Sequence, residues 1–309
     1  FSKWSTISFT CMFVIWIPLN YLHSIINPMS STDFLFLDGH LVRQDKANLS
    51  VNNRSFRYGD GCFETIRVVN GQIKLAPLHF ERLFTSIDAL KFNKPSYMNP
   101  EWLQKYILEV VHKNGHQKLA RVRVMIFRGD GGLYDPENHF PHHLIQSFEL
   151  GEATQELNQN GLTLGIYKEA KKSSDFFSMI KSNNYLPYIM AALWAKENNL
   201  NDAILLNHAG GIADTTIANL FIIKDGTIKT PAITEGPVAG VMRRHLIKTL
   251  RAHDYDVQEI TVTVADVLEA SEVFLTSAIH GIKWVKQIDN SQYNNSLTTV
   301  LYKEFIQTL

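Results

Sequence analysis

The sequence predicts an α/β protein of two domains. Along most of the 309 residues, segments whose apolar residues recur at helical spacing alternate with short, strand-like runs. The stretch 150–161 is polar and has no clear period, so we place a domain boundary there. We therefore expect residues 1–31 to lie outside the fold, residues 32–150 to form a small N-terminal domain, and residues 151–309 to form a larger C-terminal domain.

The N-terminal domain is predicted to begin with hairpins and continue with helices. Asn70-Gly71 favours a type I′ turn, because both residues tolerate a positive φ. Asn99-Pro100-Glu101 is typical of a helix start, with a capping side chain, a first-turn proline and a first-turn acid. The predicted elements are hairpins over 34–42 and 65–75, helices over 77–90 and from residue 100, and a strand over 121–126.

The C-terminal domain is predicted to alternate strands with helices. Asp225-Gly226 marks a turn between two strands, and no segment repeats at a fixed period. The predicted strands cover 162–167, 203–206, 217–223, 227–230, 257–262 and 273–276. The predicted helices cover 185–198 and 238–252, with a short one from Ala265.

The first thirty residues differ from the rest. The run from Cys11 to Ile17 is wholly apolar, and its length suits a signal-peptide core better than a membrane span. One basic residue, Lys3, precedes it, and no cleavage site of small residues follows. We interpret the segment as non-domain sequence ahead of a start at Met29. Secretion or membrane anchoring is the alternative.

Composition excludes several classes of function. Thirty basic residues balance thirty acidic ones, so no surplus charge favours nucleic acid or an anionic membrane. Cys11 and Cys62 are too few for a disulfide framework or a zinc site, and no histidines have a metal-binding spacing that we accept. We expect a cytoplasmic protein without metal, nucleic-acid partner or membrane attachment.

Lys181 is the most informative residue for function. A lysine amine can form an imine with a carbonyl cofactor, although a lysine taken alone is usually a solvated surface charge. Other motifs in the sequence favour imine formation by Lys181 over a surface position. The motif-bearing segments 57–68, 211–221 and 240–243 accompany it in the sequence.

With these motifs in this order, the chain from Phe34 onward resembles the class IV, pyridoxal-phosphate-dependent enzymes. That family includes branched-chain aminotransferases, D-amino-acid aminotransferases and 4-amino-4-deoxychorismate lyases. The resemblance implies the two-domain fold type IV architecture, with a small N-terminal α/β domain and a larger C-terminal pseudo-barrel domain. It also implies pyridoxal 5′-phosphate between the domains, and a homodimer whose interface completes the site.

The resemblance assigns the cofactor contacts residue by residue. Lys181 matches the Schiff-base lysine, and Arg82 matches an arginine that gives the phosphate two charged hydrogen bonds. Asp214 stands where relatives usually have Glu, which pairs with the pyridine nitrogen. Met242 stands where many relatives have Thr. The implied cofactor contacts are Arg82, Lys181, Asp214, Thr215, Thr216, the helix start Gly240, Val241 and Met242, and the turn Ser277 and Ala278.

The resemblance also assigns three substrate contacts: Tyr58, Glu64 and Arg128. Arg128 begins a glycine-rich segment whose flexibility suits a loop that closes over a substrate. Strand alternation places Glu64 and Arg67 on opposite faces, so both should not point into one pocket unless the strand is bulged.

Each candidate also has a purely structural explanation. Lys181 could be a surface lysine at a helix start, and Arg82 a solvated helix-face arginine paired with Glu81 or Asp88. Asp214 could be a turn aspartate, and the glycine-rich segment a surface turn.

Three functions follow, in order of preference. The first is an aminotransferase that moves an amino group from an amino acid to a 2-oxo acid. The second is 4-amino-4-deoxychorismate lyase, which gives 4-aminobenzoate and pyruvate, and which the spacing after Lys181 and the run Gly240-Val241-Met242-Arg243 favour. The third is a non-catalytic binding protein on the same fold.

Overall fold

The computed structural model describes residues 29–309. Most of the predicted leader lies outside these residues, so its interpretation stays a prediction. The N-terminal half combines hairpins with two long helices. In chain order it contains β1 (Phe34–Leu37), β2 (His40–Arg43), α1 (Arg54–Tyr58), β3 (Gly61–Val69), β4 (Gln72–Ile73), α2 (Ala76–Ala89), α3 (Pro100–Lys113), β5 (Leu119–Arg128) and β6 (Pro141–Glu149).

The C-terminal half is richer in strands. It contains β7 (Leu162–Lys172), α4 (Leu186–Glu197), β8 (Asp202–Asn207), β9 (Ile212–Thr215), β10 (Asn219–Lys224), β11 (Thr227–Pro231), α5 (Val241–Ala252), β12 (Val257–Ile260), α6 (Val264–Leu268), β13 (Glu272–Ser277), β14 (Gly281–Ile288), β15 (Ser291–Gln292) and α7 (Ser296–Phe305). Within residues 29–309, no helix combines the length and the apolar character needed to cross a membrane.

The first sheet is antiparallel and has the strand order β2-β1-β6-β5-β3-β4. Helices α2 and α3 cover one of its faces. Ile66 and Val124 of the sheet pack there with Leu83 of α2 and Ile107 of α3. Because strand side chains alternate, the neighbours of these residues point to the opposite face. That second face is free to form the wall of a site.

The second sheet has the order β12-β11-β10-β13-β14-β7-β8-β9, with β15 added beside β14, and it curls into a half-barrel. Its pairing is mixed, since β11 with β12, β14 with β7, and β7 with β8 run parallel. Helices α5 and α7 pack on one face of this sheet. There Leu246 of α5 and Leu301 of α7 belong to the same apolar cluster as Phe221 and Phe274, whose rings are stacked. This confirms the α/β prediction. The polar stretch 150–161 lies between the last strand of the first sheet and the first strand of the second.

Local sequence signals explain several element boundaries. Asn70 and Gly71 have φ values of 49° and 71°, as the predicted turn between β3 and β4 requires. The side chain of Asn99 accepts a hydrogen bond from the Trp102 amide at 2.9 Å, and Pro100 occupies the first turn of α3. Both predicted signals are confirmed.

Six elements were not predicted from the sequence: α1, β6, β9, β14, β15 and α7. β6 begins with a proline and two histidines, and β14 mixes lysines with apolar residues. Such strands are stabilised by their neighbours in the sheet rather than by their own composition. β9 matters most, because it places Asp214 inside a buried strand and not in a turn.

The segment that carries Lys181 is hydrogen-bonded to the start of β3. The Phe63 amide donates to the Lys181 carbonyl at 2.9 Å, and the Asn183 amide donates to the Gly61 carbonyl at 3.0 Å. A Cβ on Gly61 would lie 2.4 Å from the Ile126 carbonyl oxygen. The close approach of β3 to β5 therefore requires glycine there. These contacts fix Lys181 between the two sheets.

Candidate active site

A cavity of about 770 Å³ lies between the two sheets. Its size is typical of sites that bind a small molecule or a cofactor. The predicted residues that line it are Arg82, Lys181, Asp214, Thr215, Thr216, Val241, Met242, Ser277 and Ala278. Gly240 is the N-cap of α5, next to Val241. Residues far apart in the sequence therefore meet at one cavity.

Lys181 presents its amine to this cavity. Its Nζ lies 4.4 Å from the centroid of the Phe63 ring. Burial lowers the pKa of Lys181 to about 8, and the positive charge of Arg82 acts in the same direction. A substantial fraction of the amine is therefore neutral near pH 8, which is the form that attacks a carbonyl.

Asp214 is 2% exposed and, among the described residues, uses only one of its carboxylate oxygens. Oδ2 accepts hydrogen bonds from Lys172 Nζ at 3.1 Å, from the Tyr188 hydroxyl at 3.0 Å and from the Val238 amide at 3.0 Å. Oδ1 is buried without a partner in this part of the chain. Buried carboxylate oxygens are normally hydrogen-bonded, so Oδ1 is ready to accept a donor from a ligand.

Sequence reasoning missed Lys172 and Tyr188, which hold Asp214 in place. Burial and the charge of Asp214 raise the pKa of Tyr188, so its hydroxyl stays protonated and donates. Lys172 is 7% exposed and forms an ion pair with Asp214. Neither residue belongs to a recognisable motif. Lys172 reaches this carboxylate because β7 pairs with β8 and β8 pairs with β9.

Arg82 pairs with Glu64 rather than with Glu81 or Asp88. Its Nε and Nη2 donate to the Glu64 carboxylate at 2.7 and 2.6 Å, and its Nη1 donates to the Ala239 carbonyl at 2.9 Å. His79 Nδ1 lies 2.7 Å from the same carboxylate. Burial alone would raise the pKa of Glu64, but Arg82 and His79 lower it to about 2. The ion pair with Glu64 thereby holds the Arg82 guanidinium at the cavity wall.

The start of α5 is open to an anion. Within residues 29–309, no side chain caps the helix at Gly240, so its first amides have no such partner. A Cβ on Gly240 would lie 1.8 Å from Asn219 Oδ1, so only glycine fits at this approach. Val241 and Met242 follow at the cavity wall. A backbone donor does not depend on the side chain, so Met242 leaves this binding mode intact.

Two further turns complete this end of the wall. The Ser277 hydroxyl accepts a hydrogen bond from the His280 amide at 3.3 Å, which shapes the turn through Ala278. Thr216 donates its hydroxyl to Asp202 at 2.6 Å, and its amide donates to the same oxygen at 3.1 Å. Thr215 and Thr216 are therefore both held by the protein, since the Thr215 hydroxyl donates to the Ala218 carbonyl at 3.2 Å, and both border the cavity with Ala278.

The three predicted substrate residues do not line this cavity. The strand that carries Glu64 presents Phe63 and Thr65 to the cavity and turns Glu64 toward α2. Arg128 is 5% exposed and pairs with Asp60. Tyr58 ends α1, where nearby guanidinium groups approach its ring.

Arg54 organises the glycine-rich segment after β5. It forms an ion pair with Asp60 at 2.9 Å, and its guanidinium donates to the carbonyls of residues 131–134. Leu133 and Tyr134 are 70% and 90% exposed at the tip of this segment. The segment is therefore a shaped loop, not an irregular surface turn.

These residues fit pyridoxal 5′-phosphate. The free Oδ1 of Asp214 suits a protonated ring nitrogen, the uncapped start of α5 and Arg82 suit a phosphate, and Lys181 supplies the amine. Among residues 29–309, no group of three or more His, Cys, Asp or Glu side chains is placed to hold a metal ion.

Comparisons with known proteins agree with this chemistry. Residues 61–288 match the family model described as amino-transferase class IV. The chain is 29% identical over 246 residues to an aminodeoxychorismate lyase of Vibrio harveyi, covering 79% of this chain and 88% of the relative. It is 27% identical over 284 residues to a D-alanine aminotransferase of Listeria monocytogenes, covering 89% and 96%.

A solved structure shows the same architecture. The branched-chain aminotransferase of the thermophilic archaeon Thermoproteus uzoniensis, solved with norvaline, superposes with a TM-score of 0.81 at 25% identity. The superposition covers 89% of this chain and 95% of that structure.

Replacing the buried carboxylate Glu64 should destabilise the fold in a pH-dependent way. We expect Glu64→Gln to lower the free energy of unfolding by about 3 kcal/mol at pH 7, because Arg82 loses its buried partner. The folded-state pKa of about 2 lies below the ordinary value of 4.5. This contribution is therefore complete above pH 4.5 and is lost as the pH falls toward 2.

Denaturant titrations of the wild type and the variant at several pH values measure this difference. Glu81→Gln is the matched control, because Glu81 pairs with Arg244 on the surface, where both side chains are more than half exposed. A Glu64→Gln protein as stable as the control at pH 7 would contradict the assignment.

Proposed function

The chain belongs to the class IV aminotransferase family, and we propose that it is a pyridoxal-phosphate-dependent enzyme that transfers the amino group of an amino acid to a 2-oxo acid. One observation carries the proposal. Lys181, with its pKa lowered to about 8, and Asp214, with an unpartnered buried oxygen, line the same cavity of the described chain. Together they offer an amine for the cofactor aldehyde and an acceptor for the ring nitrogen.

Each residue has a defined task in this proposal. When bound, the cofactor supplies an electron-accepting ring beside the carbon that loses its proton. Lys181 binds the cofactor through its amine and later accepts the proton from the substrate carbon. The amides at the start of α5 and the Arg82 guanidinium hold the phosphate, and the Ser277–Ala278 turn supports that end.

The contacts around Asp214 support its use in place of the glutamate that relatives usually have at this position. Lys172, the Tyr188 hydroxyl and the Val238 amide all donate to Oδ2, so Oδ1 is left for a ligand. Aspartate carries the same charge as glutamate on a shorter stem. Because Asp214 lies on β9 at the cavity wall, the shorter aspartate side chain still reaches the cavity.

4-Amino-4-deoxychorismate lyase is the second candidate. The Vibrio harveyi relative carries that activity in its name, and the Gly240-Val241-Met242-Arg243 run also resembles the lyases. The two reactions would use the same cofactor-binding residues, and they differ in the product that is released. A lyase releases pyruvate and needs no amino acceptor.

A second copy of the chain is the partner that we propose for helix α4. Four apolar side chains form a stripe at helical spacing on its exposed side: Leu186 at 68% exposure, Ile189 at 52%, Met190 at 42% and Leu193 at 48%. An apolar stripe of this kind indicates a protein interface. The dimer implied by the resemblance would bury it close to the cavity, whose wall includes Ile189.

Covalent labelling tests the role of Lys181. We expect borohydride treatment of the cofactor-loaded protein to attach the cofactor to Lys181, as located by peptide mass spectrometry. Labelling of the apoprotein should rise with pH through about 8, because the neutral amine is the attacking form. Lys171 and Lys172 line the same cavity and serve as internal controls. Label on either of them instead, or on no lysine, would reject the proposal and favour the non-catalytic alternative.

Two assays separate the enzymatic candidates. We expect amino-group transfer from one or more members of a panel of L- and D-amino acids to 2-oxoglutarate. Pyruvate release from 4-amino-4-deoxychorismate is measured separately without an acceptor. Release of pyruvate with no transfer from the panel would assign the lyase reaction instead.

A charged side chain introduced on α4 tests the proposed interface. We expect Leu193→Glu to shift the protein from dimer to monomer in light scattering, because a charge in an apolar interface must be desolvated. Val300→Glu on α7 is the control, since Val300 is also apolar and 40% exposed. If light scattering gave the Leu193→Glu protein the same molar mass in solution as the wild-type dimer, this face of α4 would be excluded as the interface.

A further inference from the structure

Lys172, Tyr188 and Asp214 form a closed triangle of contacts at the cavity wall. Lys172 Nζ lies 3.1 Å from Asp214 Oδ2 and also donates to the Tyr188 hydroxyl, which in turn donates to the same Oδ2 at 3.0 Å. Lys172 and Asp214 are 7% and 2% exposed, so water screens their attraction poorly. The carboxylate therefore has a cationic partner that belongs to the protein itself.

An irregularity in β7 decides which side chain meets this carboxylate. In the first part of the strand, Tyr167 lies opposite Leu205 of β8. The register then shifts, so that Lys172 lies opposite Asn207. In an unbroken strand, Glu169 would occupy that place and would bring a second acid toward β9. Bulges beside active sites commonly redirect a side chain, and this one brings in a lysine.

The elements around Asp214 contribute groups of different charge. Burial and the charge of Asp214 raise the pKa of Tyr188 on α4, so its hydroxyl is neutral. The segment before α5 contributes the Val238 amide, and β8 places an apolar residue opposite the aspartate. Lys181 is a second amine whose charge interacts with Asp214. Of these groups, Lys172 is the one that brings a positive charge into hydrogen-bonding contact with the carboxylate.

This arrangement has a consequence for a ligand at the other carboxylate oxygen. Within residues 29–309, Oδ1 of Asp214 is buried without a partner and suits the protonated ring nitrogen of the cofactor. A proton on that nitrogen adds a second positive charge to a carboxylate that already has Lys172. A nearby like charge disfavours the charged form of a titrating group. The nitrogen proton is therefore held less firmly than by a carboxylate that has no other cation.

We infer that Lys172 is a positioning residue that competes with the cofactor ring nitrogen for Asp214 and lowers the proton affinity of that nitrogen. A ring without this proton accepts electrons less readily, so Lys172 limits the electron demand of the cofactor. Lys172 also stabilises the chain before the cofactor binds, because a buried carboxylate without a partner is costly. The inference rests on the proposed function, since it takes Asp214 as the partner of the ring nitrogen.

Nitrogen-15 NMR tests the inference directly. In protein loaded with cofactor that carries nitrogen-15 in the ring, the chemical shift reports whether that atom is protonated. We expect the wild-type nitrogen to lose its proton at a pH at least about one unit lower than in Lys172→Met, a tenfold difference in proton affinity. A purely structural role would shift the midpoint the other way, because a loosened Asp214 would hold the proton less well.

Lys171→Met is the matched control. Lys171 also lines the cavity, but the amine bound to Asp214 in the described chain is that of Lys172. The control should leave the midpoint close to that of the wild type. Lys172→Gln provides a second variant if Lys172→Met does not fold, and it should raise the midpoint in the same way. Equal or lower midpoints in the Lys172 variants would overturn the inference, as would a wild-type nitrogen that stays protonated wherever the protein is folded.

Thermal unfolding provides an independent measurement. Lys172→Met should lower the melting temperature of the apoprotein more than that of the loaded protein, because the ring nitrogen then replaces Lys172 as the partner of Asp214. Equal losses with and without the cofactor would show that the two groups do not compete, and would contradict the inference.

The two proposals fail in different ways. If borohydride leaves Lys181 unlabelled, the proposed function fails before any Lys172 variant is compared. If Lys181 is labelled but the ring nitrogen titrates alike in the wild type and the Lys172 variants, only the role of Lys172 is rejected.

Discussion

The hydrogen bonds between the Lys181 segment and the start of β3 hold the candidate site together. Lys181 belongs to the C-terminal half, while Gly61 and Phe63 belong to the N-terminal sheet, and two backbone hydrogen bonds join them. The absence of a side chain at Gly61 lets β3 pass close to the Ile126 carbonyl of β5. Without this contact, the amine, the arginines of β5 and the start of α5 would belong to separate surfaces.

The buried carboxylates of this site are held in two ways: Glu64 and Asp214 each pair with a basic side chain, and Asp202 accepts hydrogen bonds from Thr216. Glu64 is matched by Arg82, and His79 Nδ1 lies 2.7 Å from the same carboxylate, while Asp214 is matched by Lys172. The paired charges fix the geometry of the wall, because breaking such a pair leaves an uncompensated charge in a medium that solvates it poorly. Among the described residues, six Arg and Lys line the cavity, against two aspartates.

Relatives of this chain carry different reactions on one scaffold. A lyase of Vibrio harveyi and a D-alanine aminotransferase of Listeria monocytogenes are almost equally similar to it. Shared fold and shared cofactor residues therefore do not choose the substrate. In this chain the side chains of Thr65, Arg121, Arg123 and His280 also line the cavity.

The sequence by itself determined most of the local elements and was enough to predict the candidate reactive groups. Helical spacing predicts α2 and α3, the Asn-Gly turn predicts the first long hairpin, and ordered motifs point to Lys181, Arg82 and Asp214. These features depend on neighbours within a few residues or on a fixed order along the chain, so they can be identified without coordinates.

Only the tertiary structure decided which side chains meet. Lys172 reaches Asp214, 42 positions away, because β7 pairs with β8 and β8 with β9. Glu64 reaches Arg82, 18 positions away, because α2 packs on β3. The opposition of arginines across β3 and β5 likewise follows from strand register. No local preference encodes these contacts, so the charge balance of the cavity is a property of the folded chain.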